Sequence, residues 1–182
     1  QQEANGMLDN SKELNKIANT STENVQTLYT SLEQFNRTSE SALASTRKMK
    51  NKNFILVAKI DHILFKDDAL NHLQTDEYKE FSDSTQCRLG KWYSTDGVSQ
   101  FKHSKSFKAM LHPHQKVHTL VHEIFELQKE RGIVAAHEPI KEKFINMHRA
   151  SDELFTYMDQ MLEEEAQHQE EHINDGDIEL FE

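Results

Sequence analysis

The stretch IKEKFINMHRASDELFTYMDQM, residues 140 to 161, decides the fold. Ile140, Phe144, Met147, Ala150, Leu154, Tyr157, Met158 and Met161 recur at steps of one, three and four residues. On a helix that spacing gathers them into one apolar stripe. No glycine or proline interrupts the stretch. A long helix is therefore predicted from Ala136 to about Gln167, and its stripe must be buried against other helices.

Working outward, the same period recurs at Phe54, Val57, Ala58, Asp61, His62, Phe65 and Ala69, which predicts a helix over about 52 to 74. TDEYKEFSDSTQ, which follows, is polar and loop-like. CRLGKWY, at 87 to 93, predicts one or two helical turns, closed by a turn at STDG, 94 to 97. Phe101 to Leu111 predicts another short helix. Pro113 suits the first turn of another helix, where a missing N–H costs nothing. That helix should run to about Arg131 and stop at Gly132.

Upstream, Leu14, Ala18, Ser21, Val25, Leu28, Leu32, Phe35, Ser39 and Ala42 alternate steps of four and three. This is the a/d seam of a coiled coil, thin and set among Ser, Thr, Asn and Gln. With only 5 Gly and 2 Pro in 182 residues, few breaks are available to the chain. The predicted fold is all-α: an antiparallel four-helix bundle with a long N-terminal coiled-coil helix. The expected division is a rod over 1–50, a bundle over 51–170 and an acidic tail over 171–182.

The net charge is −10 and the pI about 5.5, which speaks against nucleic acid as a partner. Arg47, Lys48, Lys50 and Lys52 form one short basic knot, of the kind that lies on a solvated helix face. A single cysteine precludes an internal disulfide and suits a reducing compartment, so a cytoplasmic location is expected. The longest clean apolar run, FILVA at 54 to 58, is too short to cross a membrane. No signal-peptide pattern is visible, and since the chain does not begin with Met it reads as a piece of something longer.

Chemistry concentrates in HPHQKVHTLVH, 112 to 122, with His112, His114, His118 and His122. His114/His118 and His118/His122 both have the i, i+4 spacing that lets two imidazoles on one helical face hold one metal ion. His62 lies on another helix and Cys87 in a third segment. With either histidine pair they would complete a closed His₃Cys zinc site. Two other chemistries are weighed against it. A di-iron bundle would draw on His148, Asp152, Glu165 and His168 together with further bridging carboxylates. A zinc hydrolase would need an open coordination position, and the HEXXH pattern is absent, so no enzyme is expected.

DHILF (61–65), CRLGKWY (87–93) and PHQKVH (113–118), in that order, resemble the chemoreceptor zinc-binding domain of bacterial methyl-accepting chemotaxis receptors and some diguanylate cyclases. The shared pattern is a His with an aromatic three residues on, then Cys-x-apolar-Gly-x-Trp, then His-x-x-x-His. Phe65 stands where tryptophan is frequent. The resemblance covers about residues 54 to 160. It implies that the zinc ligands are His62, Cys87, His114 and His118, with Cys87 also the redox-reactive residue. It further implies that residues 1–50 are the end of a receptor's signalling hairpin, a dimeric coiled coil. The function expected from it is sensing of zinc, or of oxidants such as hypochlorous acid. The signal would pass to a chemotaxis histidine kinase and its adaptor from a homodimer, without this segment touching the membrane. If the resemblance fails, the alternative is a hemerythrin-like di-iron bundle that binds or senses oxygen.

Overall fold

The structure, a computed structural model, describes the backbone of residues 2–176 and the side chains of residue 10 and residues 12–169. Among the described residues there are helices and no strands. The helices are α1 (Gln2–Gln74), α2 (Arg88–Trp92), α3 (Val98–Phe101), α4 (Lys105–Ala109), α5 (Leu111–Ala135) and α6 (His137–Gly176), with a π-helical turn at Tyr93–Gly97. The chain divides into two compact units, Gln1–Met49 and Lys50–Glu182.

In the first unit the polar residues support the helix. The hydroxyls of Thr22, Thr27, Thr30 and Thr38 each donate to the carbonyl four residues back. Those bonds satisfy the side chains within the helix itself. Leu14, Val25, Leu28, Leu32 and Phe35 of the expected seam are between 47% and 67% exposed.

In the second unit the final section of α1 buries Ile55, Ala58, His62, Lys66, Ala69 and Leu73. The predicted stripe was turned too far toward Val57, which is 37% exposed. The face that packs is centred on His62 and on Lys66, whose Nζ donates to Ser151 Oγ at 2.8 Å.

Two further pairings show how the helices run. Lys59 meets Asp159 at 2.6 Å, while Lys66 meets Ser151, so positions on α6 fall as those on α1 rise and the two are antiparallel. His62 lies beside His114 and His118, whereas Asp76, just past α1, accepts from Gln128 Nε2, so α1 and α5 run parallel. The run of short helices from 88 to 109 forms the return limb between them. The order is therefore up, down, up, down. α6 joins the two parts of the core. Ile140, Met147 and Ala150 pack with Ala69, Val117, Val121 and Ile124. Leu154, Met158 and Met161 pack with Ile55, Ala58, Leu89, Phe101 and Phe107. Every residue of the stripe read from 140–161 is buried or half-buried.

Three local expectations need correction. STDG does not end the helix that begins at Arg88: Tyr93–Gly97 winds on as a π-helical turn into α3. Stacking of Trp92 on Phe54 at 4.6 Å and of Tyr93 on Phe107 at 4.3 Å holds that wider turn in place. Second, α4 begins only at Lys105, because Ser104 Oγ caps it by accepting from Phe107 N. Third, α6 continues past Gln167 to Gly176. Glu164 accepts from Ser106 Oγ and from the amides of Lys105 and Ser106, and Glu165 pairs with His103, which anchors the start of the acidic stretch. Of the expected tail, residues 177–182 lie outside the described residues. Gly132 breaks the helical path where predicted, with φ 72° and ψ 157°, a left-handed φ that favours glycine.

Candidate metal centre

Backbone hydrogen bonds position three of the four expected ligands, His62, His118 and Cys87. His62 sits on α1, 2% exposed, and its Nδ1–H donates to Ala58 O at 2.8 Å. His114 and His118 sit on successive turns of α5, each 2% exposed. His118 Nδ1–H donates to Ser82 O in the 75–87 loop at 2.8 Å. Those two bonds fix the tautomer of His62 and His118, leaving the Nε2 lone pair free.

Cys87 is the N-cap of α2, and its Sγ accepts from Gly90 N at 3.3 Å. Gly90 makes that turn possible. A Cβ there would stand 1.9 Å from Ser84 O, a distance only glycine avoids. The thiol also contacts His114 Nε2 at 3.2 Å.

One ligand atom from each of His62, Cys87, His114 and His118 lies within 4.8 Å of the other three. Nε2 of His62 and Nε2 of His118 are buried without a hydrogen-bond partner. Buried acceptors left bare cost free energy, of order 1–3 kcal/mol each. A single cation among the four donors removes that cost. Donors around a tetrahedral zinc stand roughly 3.3–3.8 Å apart, and the 3.2 Å Cys87–His114 contact is already close to that spacing. The arrangement fits one zinc ion, with three imidazoles, one sulfur and a carbonyl behind each of two rings.

The electrostatics agree for a site without its ion. Burial, together with the nearby His62 and His118, holds His114 down to about 3. Burial also holds His118 down to about 4, against the pull of the Ser82 carbonyl, and lowers His62. All three imidazoles are thus neutral, as a metal requires. Burial pushes the Cys87 thiol up, opposed by the amides of Gly90 and Leu89. The thiol keeps its proton in the metal-free protein, and binding of an ion expels it.

These depressed histidines make metal-free stability depend on acid. Below about pH 6.5 the unfolded chain takes up protons that the folded chain refuses. The folded state therefore loses stability as the pH falls below that value, until the folded values are reached. The urea midpoint of zinc-stripped protein should be level from pH 8 to 7 and fall steadily from about 6.5 to 4. A midpoint still level at pH 5 would contradict this.

The remaining histidines are elsewhere. His112 is exposed. His122 is half-buried and lines a separate groove with Glu123, Glu126 and Lys143. The di-iron alternative does not assemble: His148 and Asp152 are exposed, and Glu165 pairs with His103, which stacks on His168. The Ser82 carbonyl behind His118 was not foreseen, and a backbone acceptor in a polar loop leaves no signal in the sequence.

Residues 62–125 match the family model of the chemoreceptor zinc-binding domain. The matched stretch begins at His62 and contains Cys87, His114 and His118. No curated protein and no solved structure matches the chain. Among the described residues no helix is long and apolar enough to cross a membrane.

Proposed function

We propose that this chain, whose residues 62–125 match the chemoreceptor zinc-binding domain, is the zinc-binding sensory unit of a bacterial chemotaxis receptor. It reads oxidant, or zinc itself, at Cys87 and signals along α1 to a histidine kinase and its adaptor. The observation that carries this reading is the convergence of His62, Cys87, His114 and His118 with two bare imidazole nitrogens.

Bound zinc would keep the Cys87 sulfur as a thiolate, the form that oxidants attack. The residues of the chain do the rest. Gly90 N–H donates to the sulfur, and the α2 N-terminus aims it at His114. Hypochlorous acid would give its oxygen to the sulfur: an S–O bond forms, the O–Cl bond breaks and chloride leaves. The sulfur is oxidised by two electrons to a sulfenic acid. Its lone pairs then bind the ion more weakly, and α2 is free to shift.

A homodimer is part of the proposal. Leu56, Ile60, Ile63 and Leu70 are exposed and fall in the register of the upstream seam, with Asp67 at the seam position between the last two. Four protein donors leave no open position for a substrate, which supports a non-catalytic role. The sole cysteine and the short apolar runs support a cytoplasmic location.

Stoichiometric hypochlorous acid, added to zinc-loaded protein, should release about one zinc per chain to a chromogenic chelator. Mass spectrometry should place the added oxygen on Cys87. Oxidised methionines with an unmodified Cys87 and retained zinc would overturn the redox reading.

A further inference from the structure

A cavity of about 290 Å³ opens at the metal centre and takes in the ion site itself. Its walls include His62, His118 and Cys87, with Phe65 as an apolar side. Liquid water occupies about 30 Å³ per molecule, so the space holds up to about ten waters or one small solute. The two unpartnered Nε2 atoms belong to histidines that line it. It is the route by which a solute would reach the Cys87 sulfur.

Among the described residues two charged ones line this cavity, Arg88 and Asp61, and they pair at 3.2 Å. Their side chains are 56% and 36% exposed, which places them at the solvent side. Such pairs are weak, with a median of roughly 0–1 kcal/mol, so the carboxylate is readily exchanged. The guanidinium offers five N–H donors in a fixed fork and cannot lose its charge. It is held by the chain next to Cys87, at the first position of α2. The Asp61 carboxylate thus occupies the place where an incoming small anion would dock.

We infer that Arg88 determines which solutes reach Cys87: it admits small monoanions to the cavity by exchanging the Asp61 carboxylate for them. Asp61 is the competing anion that keeps the mouth closed to weaker ligands. This inference rests on reading Cys87 as the reactive group. It narrows the oxidant side of that reading to solutes available as small anions, hypochlorite, the conjugate base of hypochlorous acid, among them.

Two alkylating reagents test it without any oxidant. Iodoacetate is a monoanion and iodoacetamide is neutral. In both, the same thiolate forms an S–C bond and iodide leaves to solvent, so their rate ratio cancels changes in thiolate fraction. The chain has one cysteine, so the labelled site is unambiguous. On the zinc-loaded protein, Arg88→Gln should lower the iodoacetate-to-iodoacetamide ratio about three- to tenfold. Asp61→Asn should raise it, Arg88→Lys should recover most of it, and 1 M salt should flatten the differences. The iodoacetamide rate should stay within about twofold throughout. A ratio unmoved in either Arg88→Gln or Asp61→Asn overturns the inference. So do two rates that move together, as a merely structural role would give, or a Cys87 that neither reagent labels. Failure of hypochlorous acid to release zinc strikes the redox reading instead, and the rate ratio does not depend on it.

Discussion

Replacing His118 by alanine should drop bound zinc from about one ion per chain to under a tenth, whereas His122→Ala should leave it unchanged. Spacing along the sequence allows either residue to partner a neighbour four positions away. The fold separates them. His118 is 2% exposed and presents a bare Nε2 beside His62, with its other nitrogen held by Ser82 O. His122 lines a different groove, with Glu123 and Lys143. Truncating His118 removes one of four donors and also leaves the Ser82 carbonyl without its partner. Structural zinc sites contribute on the order of 10 kcal/mol in small domains, so the variant should also melt well below the zinc-loaded parent. Metal analysis after gel filtration checks both variants. Zinc lost from His122→Ala and kept by His118→Ala would reverse the assignment.

Gly90→Ala should be nearly as damaging, although it removes nothing. The added Cβ would lie 1.9 Å from Ser84 O and 2.9 Å from Ser84 C, both backbone atoms that cannot swing aside. Either the 75–87 loop or the start of α2 must move. Movement of α2 breaks the Gly90 N–Cys87 Sγ bond and carries the sulfur away from His114. Destabilisation above about 3 kcal/mol is expected, at the upper end for single substitutions. Zinc affinity should fall at least tenfold, as losses of supporting contacts around metals do. Denaturant titration and a competing chelator measure the two effects separately. An alanine variant with parental stability and zinc affinity would show that the loop has slack.

Much of the architecture was legible because it rests on periodicity. The stripe from Ile140 to Met161 marked α6 before anything else was known, and Pro113 and Gly132 bracketed α5. The section of α1 before α2 was legible as a helix but misjudged in its buried face. Lys66 reads as a solvent residue, and only the Ser151 hydroxyl on α6 explains why it lies inside. The π-helical turn at Tyr93–Gly97 was hidden for a similar reason. Ser, Thr, Asp and Gly in a row spell a turn, yet aromatic rings from Phe54 and Phe107 hold the segment wound. At the metal centre the residue types and their order carried the information. Which of two histidine pairs converges with His62 and Cys87 did not follow from spacing, because both pairs share one helix face. Tertiary placement distinguishes them, along with the loop carbonyl that orients His118.

That loop has a consequence for how the molecule comes apart. Between Gln74 and Arg88 no helical ladder holds the backbone. Phe81 anchors it in the core, Asp76 accepts from Gln128, Lys79 pairs with Asp68 and Asp83 ties a short turn, while its second half is fastened by Ser82 on His118 and by Cys87 at its end. Both of those last ties belong to the metal centre. That second half is therefore expected to open before the helices once the centre is disturbed. The three long helices are secured by their own ladders and by the core along α6, and they outlast it. On the proposed redox reading, a chemical event at that sulfur would loosen this half of the loop while the helices around it stay folded.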